Sequence, residues 1–134
     1  SWIVEFSTKD IAAQHLSMQF TSYSAITSNV GNAPYNWTVS WSDTFDLNDE
    51  SVWKKVADYV VPDGVLNGQE REWQLPAFKQ YDFVLPLEML GKDKVYLRLR
   101  PASRVSNTLY FGEGTVTDGT KSGNGIDYFA IRYN

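Results

Sequence analysis

A hydrophobic period of two constrains this chain more than any other feature. Leu16, Met18 and Phe20 alternate with Ser17, Gln19 and Thr21. Trp37, Val39 and Trp41 alternate with Thr38, Ser40 and Ser42, and Val95, Leu97 and Leu99 with Tyr96, Arg98 and Arg100. Phe129, Ile131 and Tyr133 alternate with Tyr128, Ala130 and Arg132. Tyr81, Phe83 and Leu85 make a fifth set, and residues 2–6 and 56–61 are shorter candidates. Successive side chains of a strand point to opposite faces, so each run predicts a strand with one buried face. Turn residues punctuate the runs at 29–34, 42–49, Pro62-Asp63-Gly64 and Asn67-Gly68, and in a long Gly-, Thr- and Asp-rich stretch at 112–125. Seven or more short strands with such punctuation predict an all-β chain, an antiparallel two-sheet β-sandwich of jelly-roll topology. A helix over 49–57, capped by Asp49 or Ser51, competes with a strand through residues 53–56. At 134 residues the chain has the length of a single domain, 1–134. It opens directly on the strand-like Trp2-Ile3-Val4, and so reads as a fragment of something longer or a mature, trimmed form.

Composition removes several classes of function. Twelve Lys and Arg stand against 16 Asp and Glu, a net charge of −4, where phosphate-tracking proteins carry excess positive charge; no nucleic-acid partner is expected. Cysteine is absent, which removes disulfides, thiol catalysis and Cys-zinc sites. The one histidine, His15, lies on the polar phase of its strand and has no legible catalytic partner. No apolar run approaches the ~18 residues of a membrane span. No G-x-S-x-G, P-loop or H-E-x-x-H motif occurs. Asp43, Asp46, Asp49 and Glu50 share one loop, where turn and cap chemistry is expected rather than a pair of acids flanking a cleft. Asp46, Asn48 and Glu50 alternate like the start of an EF-hand loop, but the glycine and the final glutamate of that motif are missing. Asn36-Trp37-Thr38 matches a glycosylation sequon by accident, since Asn36 belongs to a strand.

Aromatic residues are 15% of the chain. Trp37, Trp41, Tyr81, Phe83, Phe129 and Tyr133 sit on core phases. Trp53, Trp73, Tyr96, Tyr110 and Tyr128 do not. Tyr96 shares its outward face with Arg98 and Arg100, and Tyr128 shares its face with Arg132. Flat rings stack on sugar C–H faces while guanidinium forks bind hydroxyls. The candidate ligand-binding set is therefore Trp73, Tyr96, Arg98, Arg100 and Tyr110, with Tyr96, Arg98 and Arg100 on an outward sheet face and Trp73 and Tyr110 on loops at its margin. The competing reading is a half-covered sheet face held by cation–π pairs.

The order of motifs carries a resemblance. Asn36-Trp-Thr-Val-Ser-Trp-Ser-Asp43 is followed by Ser51-Val-Trp53-Lys-Lys-Val56, then Tyr81-Asp-Phe-Val-Leu-Pro86-Leu87, Val95-Tyr-Leu-Arg98-Leu-Arg100 and Gly125-Ile-Asp127-Tyr-Phe-Ala-Ile131. This resembles the jelly-roll, carbohydrate-binding-module-like (galactose-binding-like) accessory domains of secreted or surface proteins from polysaccharide-degrading bacteria. The resemblance implies a non-catalytic domain, a glycan or polysaccharide as partner beside neighbouring domains of the parent protein, and a secreted, periplasmic or cell-surface location. It also implies a structural calcium at the acidic residue of the last strand, here Asp127, and no other cofactor. Two rival functions remain: a scaffold or interaction domain without a sugar site, and a small glycoside hydrolase or lyase.

Overall fold

The computed structural model describes residues 1–26, 36–61, 79–102 and 122–134. They form seven strands: β1 (Trp2–Phe6), β2 (Leu16–Ile26), β3 (Asn36–Ser42), β4 (Lys54–Val60), β5 (Lys79–Val84), β6 (Val95–Pro101) and β7 (Ser122–Tyr133). One sheet has the order β1-β6-β3-β4 and the other β5-β2-β7, with every pairing antiparallel. The described strands are thus a two-sheet β-sandwich. Consecutive strands change sheet at every step except the β3–β4 connection, the alternation expected of jelly-roll winding.

The core contains the set that period two predicts, together with Tyr59, Val61 and Met89. Leu16, Met18, Phe20, Trp37, Val39, Trp41, Leu85, Val95, Leu97 and Leu99 are buried, with Phe83, Phe129 and Ile131 packed against them. Aromatic rings fill the space between the sheets: Phe20 stacks on Tyr81 at 5.0 Å and meets Tyr59 edge-on at 5.3 Å. Tyr133 departs from expectation. It holds the core phase, but β7 runs out at the end of the sandwich and leaves the ring 59% exposed.

The helix over 49–57 does not form. Asp49 caps through its carboxylate, which accepts from Ser51 N, but the turn is a single 3-10 turn, Glu50–Val52. From Lys54 the chain pairs with β3, and that pairing replaces an isolated helix that would be too short to persist.

The strand ends Ile26, Asn36, Val60, Lys79, Pro101 and Ser122 gather at one end of the sandwich, as the registers require. Two cross-sheet bonds join that end: the Tyr81 hydroxyl donates to Val60 O, and Trp2 Nε1 donates to Asn124 Oδ1 at 3.1 Å. The opposite end is closed by Thr8. It is 1% exposed, its N–H donates to Lys92 O, and its carbonyl accepts from Gly91 N. Gly91 has φ +72°, a conformation that glycine adopts without steric cost.

Candidate functional site

The two outer faces of the sandwich differ in kind. Tyr96, Arg98 and Arg100 do share the outer face of the four-stranded sheet, alternating with Leu97 and Leu99. That face is not open. The connection from Asp43 to Trp53 folds back across it as a strap. Trp53 lies over Arg98, with the guanidinium carbon 4.3 Å from the ring centre, and Phe45 lies over Tyr96 at 5.2 Å. Glu50 receives Arg98 Nη1 and Nη2 at 3.1 and 2.9 Å and Arg100 Nη1 at 2.8 Å. Arg98 is left 4% exposed and Tyr96 8%. The expectation of an outward, accessible Tyr96 and Arg98 is corrected: β6 is covered on both faces at these residues, because the carboxylate and the indole that neutralise and roof Arg98 come from the strap, while the Arg100 side chain stays 42% exposed.

The loop acids are spent on this closure. The Arg98 hydrogen bonds, aided by both guanidinium charges, hold the Glu50 carboxyl below its ordinary value. Lys92 Nζ donates to Asp43 at 2.9 Å and does the same for Asp43. Asp46 accepts from Asn48 N, and Asp49 from Ser51.

The outer face of the β5-β2-β7 sheet is open and differently equipped. Register places Gln80, Thr21 and Tyr128 in one row, Asp82, Gln19 and Ala130 in the next, and Val84, Ser17 and Arg132 in the third. Ala130 is small, so Arg132 reaches over it. Its Nη2 donates to Gln19 Oε1 at 2.9 Å and to the Tyr128 hydroxyl at 3.2 Å. Gln19 Nε2 then donates to Asp82 Oδ1 at 2.8 Å, and Gln80 Nε2 to Asp82 Oδ2 at 3.0 Å. The amides, the guanidinium and the carboxylate form one hydrogen-bonded chain across three strands, each member held by its neighbour. Tyr128 is 45% exposed at its edge.

A β-bulge on β7 adds a second ring. Thr21 pairs with Tyr128 and Ser22 with Ile126, which leaves Asp127 as the extra residue. Beyond the bulge the outward phase falls on Gly125, and the Tyr23 ring lies across its backbone so closely that a Cβ there would strike the phenol end of the ring. Tyr23 and Tyr128 thus occupy consecutive outward positions on either side of the bulge.

The other expected residues place as follows. Trp73 and Tyr110 lie outside the described residues. Asp127 is exposed, and among the described residues no three His, Cys, Asp or Glu gather as a metal group. His15 borders a shallow hollow with Ala12, Ala13, Gln14 and Asn134, none of them acidic. Among the described residues no helix is long and apolar enough to cross a membrane.

No family model, curated protein or solved structure matches the chain. Sequence reasoning paired Tyr128 with Arg132 on one face but passed over Gln19, Tyr23, Gln80 and Asp82. Their signal was the polar phase of β2 and β5. Only the strand order β5-β2-β7 sets those phases side by side.

Proposed function

We propose that this chain is a non-catalytic carbohydrate-binding module, an accessory domain of an exported bacterial protein, which holds glycan on the outer face of the β5-β2-β7 sheet. The observation that carries the reading is the preassembled polar chain Asp82–Gln19–Arg132–Tyr128, lying exposed beside flat aromatic rings. Sugars present two kinds of surface, apolar C–H faces and in-plane hydroxyls. Tyr128 and Tyr23 offer rings to the first, and the amides, Asp82 and Arg132 offer donors and acceptors to the second. Because neighbours already orient each polar group, little side-chain entropy is lost on binding.

Gel retardation by plant, host and microbial polysaccharides tests the reading. Binding of micromolar to millimolar strength is expected, roughly −4 to −8 kcal/mol. Tyr128→Ala should weaken it about tenfold with an unchanged melting temperature. If no polysaccharide retards the chain at millimolar sugar, the site is wrong. A scaffold role would then stand, favoured by Ile3, Phe45 and Leu47, which are 38%, 52% and 52% exposed around the other sheet's strap.

A further inference from the structure

Among the described residues Arg132 is unusual for a cation. Lys9, Lys54, Lys55, Lys92, Lys94, Arg98 and Arg100 each face a carboxylate. Of the remaining described Lys and Arg side chains, Lys79 lies over the Tyr81 ring, and Arg132 has no carboxylate partner. Carboxylates are not scarce, since acids outnumber bases 16 to 12. Arg132 is instead held by two neutral acceptors, the Gln19 amide oxygen and the Tyr128 hydroxyl, both through Nη2. Its Nε–H and its Nη1 donors are left for another partner. The nearest acid along the polar chain, Asp82, is kept apart by the Gln19 amide, whose nitrogen faces Asp82 and whose oxygen faces Arg132. The face therefore has a cationic donor side on β7 and an anionic acceptor side on β5, separated by the one Gln19 amide.

From this unneutralised, pre-oriented fork we infer that the ligand is an acidic glycan. A uronate carboxylate sits on Arg132 beside the Tyr128 ring, and the hydroxyls of a neighbouring sugar donate to Asp82. The inference rests on the proposed sheet-face site and deepens it. A guanidinium fork matches a carboxylate in two parallel hydrogen bonds, stronger than those to neutral hydroxyls. A second carboxylate over β5 would meet Asp82 and be repelled. Charge attraction at so exposed a site is screened by salt, so specificity comes from the combination of fork, ring and acceptor.

The test is calorimetric titration of the full chain with hyaluronan, alginate and polygalacturonate oligosaccharides, each beside its carboxyl-reduced form, and with polyglutamate as a sugar-free polyanion. At least one uronate oligosaccharide should bind, its carboxyl-reduced form about tenfold or more weaker, and polyglutamate weaker still. Arg132→Gln should remove the difference between the acidic and reduced forms, and Arg132→Lys should restore part of it. Equal binding of acidic and reduced forms overturns the acidic-ligand inference and leaves the sheet-face site standing. Polyglutamate binding as tightly as the sugar also overturns the inference. If neither form of any oligosaccharide binds, and neutral polysaccharides also fail, the site itself falls.

Discussion

The guanidinium carbon of Arg98 lies 4.3 Å from the centre of the Trp53 ring. Trp53 is itself fixed, its indole N–H donating to Asp46 O at 2.7 Å. Beneath it Arg98 Nε donates to Ser40 Oγ, and its two Nη atoms donate to Glu50. A charge as buried as Arg98 persists only when paired and hydrogen-bonded. This contact, with Glu50 on Arg98 and Arg100 and Phe45 on Tyr96, closes the four-stranded sheet's outer face, while the other sheet's face is open.

Trp53→Ala should uncover Arg98 and lower stability by about 3 kcal/mol in urea unfolding. Glu50→Gln should lower the melting temperature more than Glu88→Gln, which removes only the exposed pair with Lys54. Unchanged unfolding in both Trp53→Ala and Glu50→Gln would mean that the strap is not closed in solution.

Acid should act through the strap and through Asp58 on β4. Glu50, Asp43, Asp49 and Asp58 are all held below their ordinary values: Glu50 chiefly by hydrogen bonds from Arg98, Asp43 from Lys92, Asp49 from Ser51 and Asp58 from Lys55. Their folded pKa values lie below the unfolded ones, so their contribution is complete above the unfolded values and is lost as pH falls through the folded ones. Thermal stability should be level from neutral pH to about pH 5 and decline below the ordinary Glu value of 4.5. Glu50→Gln should make that decline shallower. A decline beginning near pH 6 would point to another group.

Among the described residues the buried Tyr59 hydroxyl has no hydrogen-bond partner. Burial, with a smaller contribution from Tyr81, pushes its ionisation upward. Removing the hydroxyl relieves an unsatisfied polar group while keeping the ring that packs on Phe20 and Tyr81. Tyr59→Phe should therefore stabilise the fold by about 1 kcal/mol, read from chemical unfolding. A loss of similar size would show that the hydroxyl is bonded in solution.

Gly125→Ala should push the Tyr23 ring off the β7 backbone, since the new Cβ would occupy the space of its phenol end. Polysaccharide binding should weaken several-fold with the strand pairing intact, as judged by circular dichroism. Full affinity in this variant would exclude Tyr23 from the glycan platform.

Strand phase was legible from sequence because the pleat has a period of two and needs only neighbouring residues to be read. It assigned Phe20, Trp41 and Leu97 to the interior, and Arg98 and Tyr128 to outer faces. It also located β1 and the alternation of β6 with little else to go on. What covers an outer face is a different kind of fact. The fate of Arg98 was decided by Glu50 and Trp53, which reach it only once the strap has crossed the sheet, a meeting that no local periodicity encodes. The bulge at Asp127 shifted the phase of β7 by one residue and put Gly125 beneath Tyr23. The strand order β5-β2-β7 brought Asp82, Gln19 and Arg132 into one hydrogen-bonded chain from three distant segments. Sequence alone thus determined a β-sandwich and its core, since burial follows the chain's own pattern. Only the tertiary structure decided which aromatic and charged residues remain open to a ligand, because that depends on pairings between residues far apart along the chain.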